Sequence, residues 1–119
     1  MRVMIVYEDS HRSYGEAMVS ALRASRPGLE EVALAHLREL EAELERFDPH
    51  LVVCGHPNTF DPGGRAAWVL LSDEPSEPSE VCIDGRHRGL ENPGLEEILE
   101  IIDETEGMVL QSGRVLRGC

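Results

Sequence analysis

The chain contains no lysine: its eleven basic residues are all arginine, against 23 acidic ones, and the formal net charge is −12. Binding to a phosphate backbone depends on counterion release by clustered Lys and Arg. Here the arginines are scattered, and only Arg86-His87-Arg88 and Arg114 to Arg117 come near one another. The charge balance therefore argues against nucleic acid and anionic lipid as partners. No window approaches the roughly 20 apolar residues of a membrane span. Met1-Arg2-Val3 leads directly into a strand, so the expected location is the cytoplasm. Cysteine is scarce too. The odd count of three, with no CxxC spacing, argues against a disulfide framework or a zinc site. Cys54 and Cys82 lie in apolar runs and are expected to be buried, inert thiols, with Cys119 exposed.

A length of 119 residues predicts one hydrophobic core. Its first half has the rhythm of an α/β fold. Arg2–Asp9 (RVMIVYED) reads as an apolar strand. Tyr14, Ala17, Met18, Ala21 and Leu22 recur at helical spacing, with Ser13 and Glu16 in a capping-box pattern, and Arg26-Pro27-Gly28 ends that helix. Glu31–Ala35 suits an edge strand. Leu37, Leu40, Leu44 and Phe47 mark a second helix, stopped before Pro49. Leu51-Val52-Val53-Cys54 is short and unbroken, as a strand covered on both faces should be. Such alternation implies parallel βαβ units.

The second half breaks the rhythm. His56 to Arg65 is loop chemistry, and Pro62-Gly63-Gly64-Arg65 reads as a tight turn feeding a strand at Ala67–Leu71. Ser72–Glu80 is too short and proline-broken for a helical crossover, so Val81–Ile83 is predicted to return antiparallel to Ala67–Leu71. Asp84-Gly85 signals a two-residue hairpin sending Arg86-His87-Arg88 back. A last helix is expected from Pro93 to about Glu106, with Leu95, Ile98, Leu99 and Ile102 buried and Gly107 just past its end. The predicted organisation is one domain over 1–107 and a hairpin-like tail over 108–119, turning at Ser112-Gly113.

The strands carrying Glu8-Asp9 and ending at Gly55 together resemble the receiver domains of bacterial response regulators, over about residues 1–55. The resemblance implies a flavodoxin- or receiver-like βαβαβ half, followed here by an antiparallel extension and a C-terminal helix. It also implies a phosphoryl site: an acidic pair for Mg²⁺, an aspartate after the later strand, a hydroxyl residue and a lysine. Glu8 and Asp9 match the acidic pair. Gly55 falls at or beside the phospho-acceptor, and Ser72 matches the hydroxyl position. Nothing matches the lysine, and the planar guanidinium of Arg86, the nearest cation, is no equivalent point charge. The implied function is a phosphorylation-independent regulatory or protein-interaction domain with a vestigial pocket at Glu8, Asp9, Gly55 and Ser72, requiring no cofactor.

A rival reading comes from the histidines. Glu8, Asp9, His11 and His56, with Asp61 nearby in sequence, are the residue types that hold Mg²⁺ or a transition metal such as Zn, Mn or Fe, which would make a small metal-dependent enzyme. The short motifs HxH and HExxH are absent, as is a Gly-x-Ser-x-Gly nucleophile elbow. His36, His50 and His87 have no evident partners in sequence. The expected partner is a protein, contacting the acidic helix at Glu96–Glu106, the loop after Gly55 or the tail. Met108, Val109, Leu110, Val115 and Leu116 form the expected apolar interface of a homodimer.

Overall fold

The computed structural model describes residues 1–29, 31–72, 74, 76–112 and 118–119, with the side chains of 111 and 112 left aside. Six strands form one mixed sheet: β1 (Arg2–Tyr7), β2 (Glu31–His36), β3 (Leu51–Cys54), β4 (Ala67–Leu70), β5 (Ser79–Ile83) and β6 (Arg86–Leu90). Their order is β2-β1-β3-β4-β5-β6. The first four run parallel, whereas β5 is antiparallel to β4 and β6 to β5. The antiparallel return of Val81–Ile83 thus forms as its short connection demands. The β5–β6 turn takes Asp84 and Gly85 to φ 52° and 79°, the left-handed pair of a two-residue hairpin.

Three helices flank the sheet: α1 (Arg12–Ser25), α2 (Leu40–Phe47) and α3 (Leu95–Ser112). Alternate strand residues divide the apolar core in two. Val3, Ile5, Leu51, Val53, Ala67 and Val69 pack with α1 and α3 on one face. Met4, Val52, Cys54 and Trp68 pack with α2 on the other. Burying each such side chain is worth roughly 1.5–3 kcal/mol.

Both of the long helical faces differ from their sequence patterns. In α1 the buried positions are Gly15, Met18, Val19 and Leu22, while Tyr14 is 49% exposed. The reason is close approach: a Cβ on Gly15 would lie 2.9 Å from a Leu34 methyl and 3.3 Å from the Tyr7 Cβ. Counting large apolar residues misses a contact face centred on glycine. The capping box does not form, because Ser13 lies inside the helix and Glu16 instead accepts from Arg12 Nε at 2.9 Å. In α3, Ile98, Ile101, Ile102 and Thr105 are buried, and Leu95 is partly exposed. Thr105 fits because its hydroxyl donates to the Ile101 carbonyl at 2.7 Å. The helix does not stop at Gly107. It continues to Ser112, so Met108, Val109 and Leu110 are helical rather than the first arm of a hairpin. Met108 packs on the core and Leu110 is 75% exposed. Val115, Leu116 and the second arm lie outside the described residues.

The cysteine expectation is overturned. Cys82 and Cys119 form a disulfide, and Cys119 is buried rather than exposed. The fold supplies the pairing: after α3 on one face, residues 118–119 lie against the opposite face, beside β4 and β5. There Gly118 N and Cys119 N both donate to the Arg65 carbonyl, at 3.2 and 3.1 Å. Asn58 Nδ2 donates to the Cys119 carbonyl at 2.8 Å. The β3–β4 connection that receives them has no helix and is held by Arg65. That guanidinium is almost fully buried and bonds Asp48 Oδ1 at 2.7 Å, Asp61 Oδ2 at 2.8 Å and the Pro49 carbonyl at 3.0 Å. A buried cation needs such partners to offset its desolvation. Cys54 is a free, buried thiol, and burial pushes its pKa up.

Candidate functional site

Parallel strands deliver their carboxyl ends to one edge of the sheet, where open α/β folds leave a crevice between strands whose connections diverge. That point here lies between β1 and β3: the chain leaves β1 toward β2, then returns across to β3. A cleft of about 320 Å³ opens there, lined by the ends of β1, β3 and β4, the first turn of α1 and the segment before α3. Glu8, His11, Gly55 and Ser72 all line it, but Asp9 does not.

The acidic pair is divided because β1 ends at Tyr7 rather than running through Asp9. Glu8 remains extended, and Asp9 begins a 3-10 turn over Asp9–His11. The two carboxylates consequently face opposite neighbours of β1. Glu8 Oε1 meets His56 Nε2 at 3.1 Å, on the β3 side. Asp9 Oδ1 meets His36 Nε2 at 2.6 Å, on the β2 side, with Arg38 at 3.7 Å. Hydrogen bonding to His36 is the main reason the Asp9 pKa is lowered.

Each histidine is positioned from its own element. His56 follows β3; its backbone N–H donates to Cys54 Sγ at 3.3 Å, and its carbonyl accepts from Trp68 Nε1 at 2.8 Å. His36 ends β2 beside Tyr7 in register and stands edge-on to the Tyr7 ring, with centroids 5.1 Å apart. Its Nδ1 also accepts from Arg38 N at 3.0 Å. His11 Nδ1 lies 3.0 Å from Ser10 Oγ.

Glu8, Asp9, His11 and His56 therefore do not gather at one point. Among the described residues no group of three or more His, Cys, Asp or Glu is arranged to hold a metal ion. The remaining histidines, without evident partners in sequence, all have one: Asp9 for His36, the Arg2 N–H for His50 at 3.0 Å, and Glu80 for His87 at 2.5 Å. Asp61 is committed to Arg65, and Ser72 Oγ donates to the Glu74 carbonyl at 3.1 Å.

Sequence reasoning missed His36, Tyr14 and Asn92 at this edge of the sheet. His36 was legible in principle, since the last residues of adjacent parallel strands end side by side. Asn92 takes φ 39° just before α3, and only the return of the chain from β6 brings it to the cleft. Burial raises the pKa of the Tyr14 phenol at the same rim.

Among the described residues the cleft offers one carboxylate held by a histidine, the His11 side chain, a tyrosine ring and uncharged polar groups. No helix among the described residues is long and apolar enough to cross a membrane. Compared with protein-family models, curated proteins and solved structures, the chain matches none.

Proposed function

We propose that this chain is a receiver-like regulatory domain that works without phosphorylation and acts by binding a protein partner. The parallel order β2-β1-β3-β4, with α1 and α2 on opposite faces, supports the receiver-like reading of the first half. The observation that carries the functional part is the fate of the acidic pair. Glu8 is engaged by His56 and Asp9 by His36, so the two carboxylates do not converge as a Mg²⁺ site requires. Gly55 supplies no nucleophile, the chain has no lysine, and among the described residues no arginine lines the cleft to stabilise a transferring phosphoryl group.

Partner surfaces follow from exposure. Phe60, in the loop after Gly55, and Leu110, near the end of α3, are large apolar side chains facing solvent. The distal part of α3 is the surface we assign to self-association. Incubating the full chain with acetyl phosphate and Mg²⁺, then weighing it intact, tests the phosphorylation-independent reading. The expected result is an unchanged mass. An added phosphoryl group on an Asp or Glu would overturn it.

A further inference from the structure

We propose that the cleft at the carboxyl ends of β1, β3 and β4 binds a small organic cation: an ammonium or guanidinium group, carried by a free amine or by an arginine side chain. The proposal rests on the phosphorylation-independent reading of this site and adds the chemical class of its ligand.

Charge decides the sign. Among the described residues Glu8 is the only carboxylate lining the cleft, beside His11, and no arginine lines it. Its Oε1 is held by His56 at 3.1 Å, which fixes the carboxylate, while Oε2 has no hydrogen bond among the described residues and 40% of the side chain is open to solvent. The net charge of −12 adds a field that draws cations and repels anions. Two helix N-termini reach the rim and would favour an anion. That of α3 is served by Glu97, whose Oε2 accepts from the Gly94 N–H at 2.9 Å, with Glu96 beside it in the first turn. That of α1, with no side-chain cap and no acid in its first turn, shares the cleft with the Glu8 carboxylate and is tested by the phosphate titration.

Shape and chemistry agree with the sign. The half-exposed Tyr14 lines the same cleft as Glu8, and an aromatic ring that shares a cleft with a carboxylate suits an organic cation. The Tyr14 hydroxyl and the Asn92 amide have no hydrogen-bond partner among the described residues, so both remain available to a ligand. Gly55 keeps the floor open, since a Cβ there would meet only the Leu71 carbonyl oxygen, at 3.9 Å. About 320 Å³ is the small end of the range for ligand pockets, suited to a headgroup and a short chain.

The test titrates ¹⁵N-labelled full-length protein with agmatine, with the blocked tripeptide acetyl-Gly-Arg-Gly-amide, with neutral 1-pentanol and with inorganic phosphate. Saturable shifts of the Glu8, Gly55, Ser72 and Asn92 amides are expected with the cations, with Kd below about 1 mM, and none with pentanol or phosphate. Because agmatine carries both an ammonium and a guanidinium group, 1-pentylamine is titrated beside it as the simple ammonium. Tighter binding of pentylamine than of the peptide would assign a free amine, and tighter binding of the peptide an arginine side chain. Glu8→Gln is expected to weaken binding at least about tenfold, and Gly55→Leu to abolish it by filling the floor. The spectrum of each variant reports whether it is folded, and Asn92→Ala, at an exposed position, gives a milder second measure. The proposal fails if the shifts do not saturate and spread over the acidic residues of α2 and α3. It also fails if pentanol binds as well as agmatine, or if Glu8→Gln binds agmatine unchanged. None of these failures touches the acetyl phosphate result, whereas an acyl phosphate formed at this cleft would overturn both readings.

Discussion

Replacing Cys119 by serine, or reducing the Cys82–Cys119 disulfide, removes a cross-link between residues 37 apart in sequence. In the chain-entropy account, closing a loop of that length in the unfolded ensemble stabilises the folded state by about 4 kcal/mol at 25 °C. That is a large part of the roughly 5–15 kcal/mol by which a domain is stable. The hydrogen bonds of residues 118–119 to Arg65 and Asn58, each worth only about 1 kcal/mol net, are too little to hold a free end in place. The expected outcome is a domain that stays folded but loses about 4 kcal/mol, with Tm lower by more than about 10 °C. Trp68, the single tryptophan, packs in the same cluster as Cys82 and Cys119, so its fluorescence reports urea unfolding with and without reductant. Thiol titration of the denatured protein should find Cys54 alone before reduction and all three cysteines after it. An unfolding free energy that changes by less than about 1 kcal/mol would refute the reasoning. Oxidising surroundings preserve such bonds and the reducing cytosol does not.

Gly118→Ala tests the docking without touching sulfur. A Cβ at 118 would sit 2.5 Å from the Gly85 nitrogen, so a loss of about 1–3 kcal/mol is expected, whereas Gly28→Ala, with nothing within 4 Å, serves as the neutral control in the same urea titration. Acid stability should depend on two exposed ion pairs: hydrogen bonds from Arg26 and Arg88 lower the pKa values of Asp103 and Glu104. A lowered carboxyl pKa contributes stability above its unfolded value, near pH 4, and that contribution disappears as pH falls through the folded value. Arg26→Gln and Arg88→Gln should each lower stability slightly at neutral pH, as exposed pairs do, and not at all once both carboxyls are protonated; an equal loss at pH 2 and pH 7 would contradict this. If the distal end of α3 mediates self-association, Leu110→Glu should convert a two-subunit species to a monomer in light scattering, and a wild-type monomer at micromolar concentration would end that proposal.

The parallel first half and the antiparallel return of β5 were determined by sequence alone. Unbroken apolar runs such as Leu51–Cys54 require cover on both faces, and nine residues with two prolines after Leu71 cannot make a helical crossover. The Asp84-Gly85 hairpin was equally legible, because its turn demands left-handed backbone at both positions. The helix faces were less so. Gly15 carries no apolar side chain to count, yet its lack of one lets α1 approach Tyr7 and Leu34, and Gly107 is a helix-ending residue only when nothing beyond it continues the helix. The disulfide was illegible: spacing within the chain does not say that residues 118–119 dock on the face of the sheet opposite α3. The same holds for the site. Sequence placed Glu8 and Asp9 together at the end of one strand, but their partners come from β2 and from the loop after β3. Only packing the strands side by side decides that the two carboxylates part, one to His56 and one to His36. Adjacency in sequence fixes a residue's neighbours along the chain, while the direction of its side chain depends on where the strand ends and what flanks it.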